Sequence, residues 1–168
     1  MKRFSLFILI GLFFCLTAFN PEQQKTQLLF KIERSKDANQ IFYTVNTDEA
    51  GNLDSNPITI FWIKKTKKNR IEPLTWIQKK YAYGLKYLQC DNKCALFQFV
   101  SYDKANFILK KTDQEYKVYT KMNDRVLEVE RIYVHIDGGT FWVPNITQVE
   151  LFAQDLKTGE AVVESIQP

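Results

Sequence analysis

The fold is decided by residues 106–136, NFILKKTDQEYKVYTKMNDRVLEVERIYVHI, where three runs of alternating apolar and polar residues are separated by two polar turns. Alternation with a period of two is typical of β-strands that bury one face. The separating residues, TDQE and MND, have the composition that tight hairpin connections need. The stretch therefore predicts three consecutive strands joined by hairpins.

The last of these three runs changes phase along its length. Leu127 and Val129 have one parity, whereas Ile132, Val134 and Ile136 have the other. One flat strand would place these two sets on opposite faces of the sheet. We therefore predict a bulge in this strand, or a strand that crosses between two sheets.

The same alternation extends in both directions from this stretch. It predicts three strands before residue 66 and further strands at LKYLQC, CALFQFV, TQVELFAQ and EAVVESI. About ten short strands with closely spaced turns predict a mostly β fold, a single antiparallel β-sandwich or barrel-like domain. The chain shows no internal repeat and no linker, so one domain is expected.

One short helix is predicted near residues 73–83, in the segment EPLTWIQKKYAYG. Pro73 suits a first helical position, and Gly84 suits the position at which a helix ends. Ile77 and Tyr81 fall on one face of this helix. We expect it to cover one end or edge of the sheet.

The N-terminus has the layout of a secretory signal peptide. Lys2 and Arg3 precede an apolar run, and Leu16 and Ala18 stand at the −3 and −1 positions of a cleavage site. The run is shorter than the roughly 18 residues or more of a membrane-spanning helix. We therefore expect residues 1–18 to be a cleaved signal peptide.

The expected product is exported to the periplasm, the cell envelope or the medium, with no transmembrane segment. Residues 19–27 would form a short extension and residues 28–168 a single β-rich domain. Two alternatives are an uncleaved anchor and a lipid on Cys15, although the residue before this cysteine, Phe14, is not small. Without Lys2 and Arg3 the formal charge falls from +4 to +2, which gives a nucleic-acid partner no support.

Two cysteines, Cys90 and Cys94, flank a three-residue polar loop in LQCDNKCALF. If the flanking runs form a hairpin, these cysteines face each other across its mouth. In an oxidising compartment such a pair is expected to form a disulfide. A metal or redox role is the alternative, but the chain has one histidine, His135, and no further cysteine after the signal peptide. We expect no metal and no cofactor.

His135 is the only imidazole, and Asp137 follows two positions later. A histidine oriented by an aspartate could serve as a general base in a hydrolase. No G-x-S-x-G turn supplies a nucleophile, so we expect no catalytic residues, and whether the protein is an enzyme stays open.

Two surface patterns have more than one interpretation. The segment KKTKKNR at 64–70 holds five basic residues, which could bind an anionic polymer or lipid headgroups, or could guard a sheet edge from pairing. Trp62, Trp76 and Trp142 could form a stacking platform for a ligand or could pack in the core.

Several segments together resemble a known family. The segments LFKIERSKDANQIFYTVN, FWIKK, LTWIQKKYAYGLKY, RIYVHIDGGTFWVPNI and DLKTGEAVVESI are similar, in this order, to exported bacterial proteins of the family named domain of unknown function 4833. The similarity spans residues 28–168. It implies a single exported domain and supplies no activity or catalytic residues, and the pair of cysteines is not part of it.

These observations lead to one function hypothesis and two alternatives. We expect a non-catalytic exported β-domain that binds a ligand or protein of the cell envelope. The candidate binding residues are polar or aromatic positions in the segments of the resemblance: Arg34, Asn39, Tyr83 and Trp142. The alternatives are a hydrolase that uses His135 with Asp137, and a β-barrel that carries a small apolar ligand.

Overall fold

The computed structural model describes residues 27–140 and 143–167, which form eleven β-strands and one short α-helix. The strands are β1 Leu28–Arg34, β2 Asp37–Thr47, β3 Leu53–Lys64, β4 Arg70–Pro73, β5 Leu85–Cys90, β6 Cys94–Phe99, β7 Tyr102–Thr112, β8 Glu115–Met122, β9 Arg125–Gly139, β10 Pro144–Asp155 and β11 Ala161–Ile166. The helix is α1, Trp76–Tyr81, and a turn of 3-10 helix spans Lys65–Lys67. The signal-peptide residues and Trp142 lie outside the described residues.

The mostly β prediction is confirmed. The three strands expected before residue 66 are β1, β2 and β3, and the three runs of residues 106–136 lie in β7, β8 and β9. The four-residue strand β4 was not predicted, since its sequence shows no alternation. In the part of the chain that the structure describes, no helix has the length and apolarity needed to cross a membrane.

All strands join one sheet in the order β4-β3-β2-β1-β9-β8-β7-β6-β5, and β10 lies between β9 and β11. The sheet is antiparallel except at one place, where β1 runs parallel to β9. The reason is that β9 is 15 residues long. Its first residues pair with β8, and residues 131–134 pair with β1 along the same edge.

The phase change in β9 is a bulge, as the sequence predicts. Val129 pairs with Ala153 and Arg131 pairs with Phe152, so Glu130 has no partner in β10. Because of this extra residue, the apolar side chains on both sides of the bulge are buried on one face. The bulge bends β9 between the part that pairs with β8 and the part that pairs with β1.

The sheet is curled and open, in the form of a half-barrel. Phe30 lies in β1 and Phe99 in β6, two strands that do not pair with each other, because β6 is connected to β9 only through β7 and β8. Their ring centroids are only 6.0 Å apart. The curl therefore encloses an interior, where the rings of Phe99 and Phe107 also meet edge to face at 5.1 Å.

The helix α1 is shorter than predicted. Thr75 is its N-cap and forms a capping box with Gln78, so the helix begins at Trp76. Pro73 is the last residue of β4 and not a first helical residue. The capping box explains the difference, since it satisfies helix N–H groups that the Pro73 start would have left to water.

Candidate functional site

Three of the four predicted binding residues meet at one end of the interior, where the β1–β2 turn lies beside α1. The guanidinium of Arg34 donates to the Tyr83 hydroxyl at 3.0 Å and to Asp37 Oδ2 at 2.5 Å. The other oxygen of Asp37 accepts from the backbone N–H of Asn39 at 2.9 Å. The sheet therefore brings together residues that the sequence separates by about fifty positions.

Trp62 of β3 lies under these residues and is 2% exposed. Two cations stand over its ring, with the Arg34 guanidinium carbon 4.7 Å and Lys64 Nζ 4.0 Å from the centroid. Its indole N–H donates to Gln78 Oε1 at 3.2 Å, and the ring of Tyr83 packs edge-on at 5.4 Å. Trp62 therefore contacts the two cations, Arg34 and Lys64, and also Gln78 of α1.

We call this group the Arg34 cluster. It consists of Arg34, Asp37, Asn39, Trp62, Lys64, Gln78 and Tyr83.

The backbone beside Tyr83 is held firmly in place. Buried Tyr43 donates its hydroxyl to the Tyr83 carbonyl at 2.7 Å, and the Tyr83 N–H donates to the Gln78 carbonyl at 2.8 Å. Burial raises the pKa of Tyr43 well above its ordinary value, and neighbouring Tyr83 adds to this shift. Because the hydroxyl of Tyr43 therefore stays protonated, the hydrogen bond to Tyr83 persists across the physiological pH range.

The Arg34 cluster has more donors than acceptors. Among the described residues, Lys64 has no ion pair, and buried Nε of Arg34 has no hydrogen-bond partner. The side-chain oxygen of Asn39 accepts from Thr66 at 3.2 Å, while its amide nitrogen donates no hydrogen bond to the described residues. Asp37 is the cluster's only carboxylate. This arrangement suits a ligand group that is rich in acceptors, such as a carboxylate or a phosphate.

The sequence pattern does not single out Asp37, Lys64 or Gln78, and it distinguishes Trp62 from the other tryptophans in no way. One signal was present: Trp62 and Lys64 share a parity in β3, so they had to lie on one face of that strand. Trp142, the fourth predicted residue, lies outside the described residues.

Cys90 and Cys94 are free thiols in the structure and are not directly opposite each other as predicted, while their disulfide stays a prediction. Cys90 pairs with Ala95, one position beyond Cys94. The reason lies in the turn, where the Asp91 carboxylate accepts from the backbone N–H of Lys93 at 2.7 Å and of Cys94 at 2.8 Å. Burial, with neighbouring Asp91 and Cys94, raises the pKa of the Cys90 thiol, which disfavours the reactive thiolate.

His135 stands beside a different carboxylate from the one expected. Its Nε2 is 3.1 Å from Glu150 Oε2, without hydrogen-bond geometry, and its ring packs against Tyr133 at 4.8 Å. Asp137 is exposed and makes no hydrogen bond or ion pair with the described residues. The structure therefore does not join His135 to Asp137.

A serine nucleophile beside His135 is also missing from the described part of the chain. The serine hydroxyls bond elsewhere, to Ile136, Asp54, Ala82 and Gln148. Nor do the described residues contain a group of three or more His, Cys, Asp or Glu side chains placed to hold a metal ion.

Comparison with known proteins gives one match. A sequence model of a protein family, described as domain of unknown function (DUF4833), matches residues 30–165. No curated protein and no solved structure matches the chain. The matched range includes every residue of the Arg34 cluster.

Proposed function

The chain belongs to the DUF4833 family, and on that premise we propose that it is a non-catalytic, exported β-domain of the cell envelope that binds a ligand or partner protein through the Arg34 cluster. The observation that carries the proposal is the convergence of Arg34, Asn39 and Tyr83 at one end of the interior. These three residues come from two separate segments and meet over one buried tryptophan.

The surplus of donors supports binding over a purely structural role. A cluster that only anchored α1 would be expected to satisfy its own polar groups, because an unpaired buried donor costs about 1–3 kcal/mol. Here Arg34 keeps one unpaired nitrogen, and Lys64 has no carboxylate among the described residues. A ligand carboxylate or phosphate would supply the acceptors that these cations lack.

We also infer that the curled sheet is barrel-like and not a sandwich. The N–H of Leu53 in β3 donates to the Asn92 carbonyl of the β5–β6 turn at 2.9 Å, although β3 and β5 are far apart in the sheet order. The interior is packed with buried rings, among them Phe30, Phe97 and Phe107. This packing gives the alternative of an apolar-ligand carrier no support.

Thermal denaturation with small anions tests the proposed site. We expect at least one of malonate, citrate and inorganic phosphate to raise the melting temperature of the wild type, because a ligand at a hundred times its Kd adds about 2.7 kcal/mol. Arg34→Lys keeps the positive charge but loses the planar guanidinium, which can donate two hydrogen bonds to one anion. The melting temperature of this variant should therefore not rise when the anion is added.

The matched control for this experiment is Arg131→Lys. Arg131 also contacts an aromatic ring, Phe152 at 3.6 Å, and a carboxylate, Glu33 at 2.8 Å, but it lies on the outer face of the sheet. This variant should keep the shift. If no anion stabilises the wild type, or if Arg34→Lys responds like Arg131→Lys, the Arg34 cluster is structural.

Export is a separate part of the proposal, and intact mass tests it. We expect the protein recovered from the producing cell's envelope or medium to begin at Phe19. Because an oxidising compartment favours a disulfide, its mass should be two hydrogens lower before reduction than after it, through a bond between Cys90 and Cys94. A full-length mass would contradict cleavage, and an unchanged mass on reduction would contradict the disulfide.

A further inference from the structure

Three large apolar side chains lie unusually open to solvent within eleven residues. Ile71 is 65% exposed, Trp76 is 67% exposed and Tyr81 is 62% exposed. Large aromatic residues are normally mostly buried, and exposed ones gathered together commonly mark a contact surface. No contact of the Arg34 cluster involves these three side chains.

The same segment holds a strong excess of positive charge. Residues 64–80 contain seven basic residues and one acidic residue, Glu72. Six of the basic side chains are exposed: Lys65, Lys67, Lys68, Arg70, Lys79 and Lys80. Glu72 lies 3.5 Å from Lys67 and 3.4 Å from Arg70, so it offsets only part of this charge.

The short helix α1 shows how the two features combine. At 100° per residue, Trp76, Lys79 and Lys80 share one face, while Gln78 points to Trp62 on the other side. All three residues of the first face are exposed. We call this face the α1 outer face: one indole flanked by two ammonium groups.

Guarding of a sheet edge explains only part of the pattern. Lysines in the β3–β4 turn could prevent the edge strand β4 from pairing with another chain. Lys79 and Lys80 lie on a helix, which has no unpaired edge. Binding of a soluble polyanion does not explain why Trp76 and Ile71 are exposed, because the basic residues alone would be enough to bind such a ligand.

We propose that this surface docks on an anionic lipid bilayer. Tryptophan and tyrosine favour the boundary between headgroups and hydrocarbon, and lysines on the same surface reach the lipid phosphates. Trp76 enters the headgroup layer, and Lys79, Lys80 and the β3–β4 turn contact phosphate. Each basic residue near such a membrane strengthens binding about fivefold. The docking surface does not depend on the Arg34 cluster.

Vesicle sedimentation with the full chain tests the proposal. The probes are vesicles of phosphatidylcholine alone and of phosphatidylcholine mixed with phosphatidylglycerol. We expect the wild type to bind the anionic vesicles, less as salt rises, and the double variant Lys79→Glu/Lys80→Glu to bind at least roughly twentyfold more weakly. Binding should also shift the emission of Trp76 to the blue, and Trp76→Phe should remove that shift.

Lys93→Glu/Lys110→Glu is the matched control, because both lysines are exposed and lie outside the basic segment. It makes the same change in net charge and should retain binding. All variants share the N-terminal apolar residues, so a difference between the two double variants belongs to the α1 outer face. Equal binding of both double variants, or equal binding to neutral vesicles, would overturn the proposal. So would binding to soluble polyphosphate without any binding to vesicles.

Discussion

Replacing Gly84 by alanine is expected to lower the free energy of unfolding by about 3 kcal/mol or more. A β-carbon at this position would lie 1.8 Å from the carbonyl oxygen of Lys79 and 2.7 Å from its carbonyl carbon. Both contacts are with backbone, so no change of the Lys79 side chain can relieve them. The end of α1 would have to move away from the start of β5, and the measurement is equilibrium unfolding in urea.

Gly159→Ala is the control for this substitution. A β-carbon added at Gly159 would have no heavy atom within 4 Å, so the substitution is destabilising only through the positive φ of +73° at this residue. That strain corresponds to about 1–2 kcal/mol. If Gly84→Ala were no more destabilising than Gly159→Ala, the close approach of α1 to Gly84 would be wrong, and with it the position of Tyr83.

Replacing Phe99 by alanine is expected to lower the free energy of unfolding by about 3–5 kcal/mol, as for other buried phenylalanines. Its ring meets rings from three other strands: Phe30 at 6.0 Å, Tyr43 at 5.8 Å and Phe107 at 5.1 Å. Phe61→Ala is the control, because Phe61 is half-buried and stacks on Phe42 of the neighbouring strand at 5.9 Å. Phe61→Ala should lower the free energy of unfolding by about 1–2 kcal/mol.

A double-mutant cycle between Phe30 and Phe99 tests the curl itself. With both residues changed to leucine singly and together, the coupling energy should be about 0.5–1.5 kcal/mol, as for other aromatic pairs in contact. A flat sheet would keep β1 and β6 far apart. Additive effects of the two substitutions would therefore contradict the half-barrel.

Local alternation was enough to predict most of the fold. Each run from 106 to 136 became a strand, and the phase change between Val129 and Ile132 became the bulge in β9. The parallel pairing of β1 with β9 could not be predicted in this way, since it joins strands about a hundred residues apart and depends on the bend in β9. The pairing of Cys90 with Ala95, and not with Cys94, could not be predicted either, because it depends on the Asp91 side chain, which accepts a hydrogen bond from the Cys94 N–H in the turn.

The candidate site was predicted in part. Arg34, Asn39 and Tyr83 are polar or aromatic residues in the segments that resemble the family, and the structure places them together. Their partners Trp62 and Lys64 could not be assigned to them, because alternation gives the face of a strand and not which strands meet. The curl of the sheet supplies that information.

The most direct test of the Arg34 cluster as a binding site is the indole resonance of Trp62. Its N–H donates to Gln78, and two of the cluster's cations lie over the ring, so a bound anion should change its environment. In a ¹H–¹⁵N spectrum, assigned with Trp62→Phe, the anion that raises the melting temperature is titrated into each protein. We predict a saturable shift of this resonance in the wild type and in Arg131→Lys, and none in Arg34→Lys. An unmoved Trp62 resonance at concentrations that stabilise the protein, or the same shift in Arg34→Lys, would contradict the account.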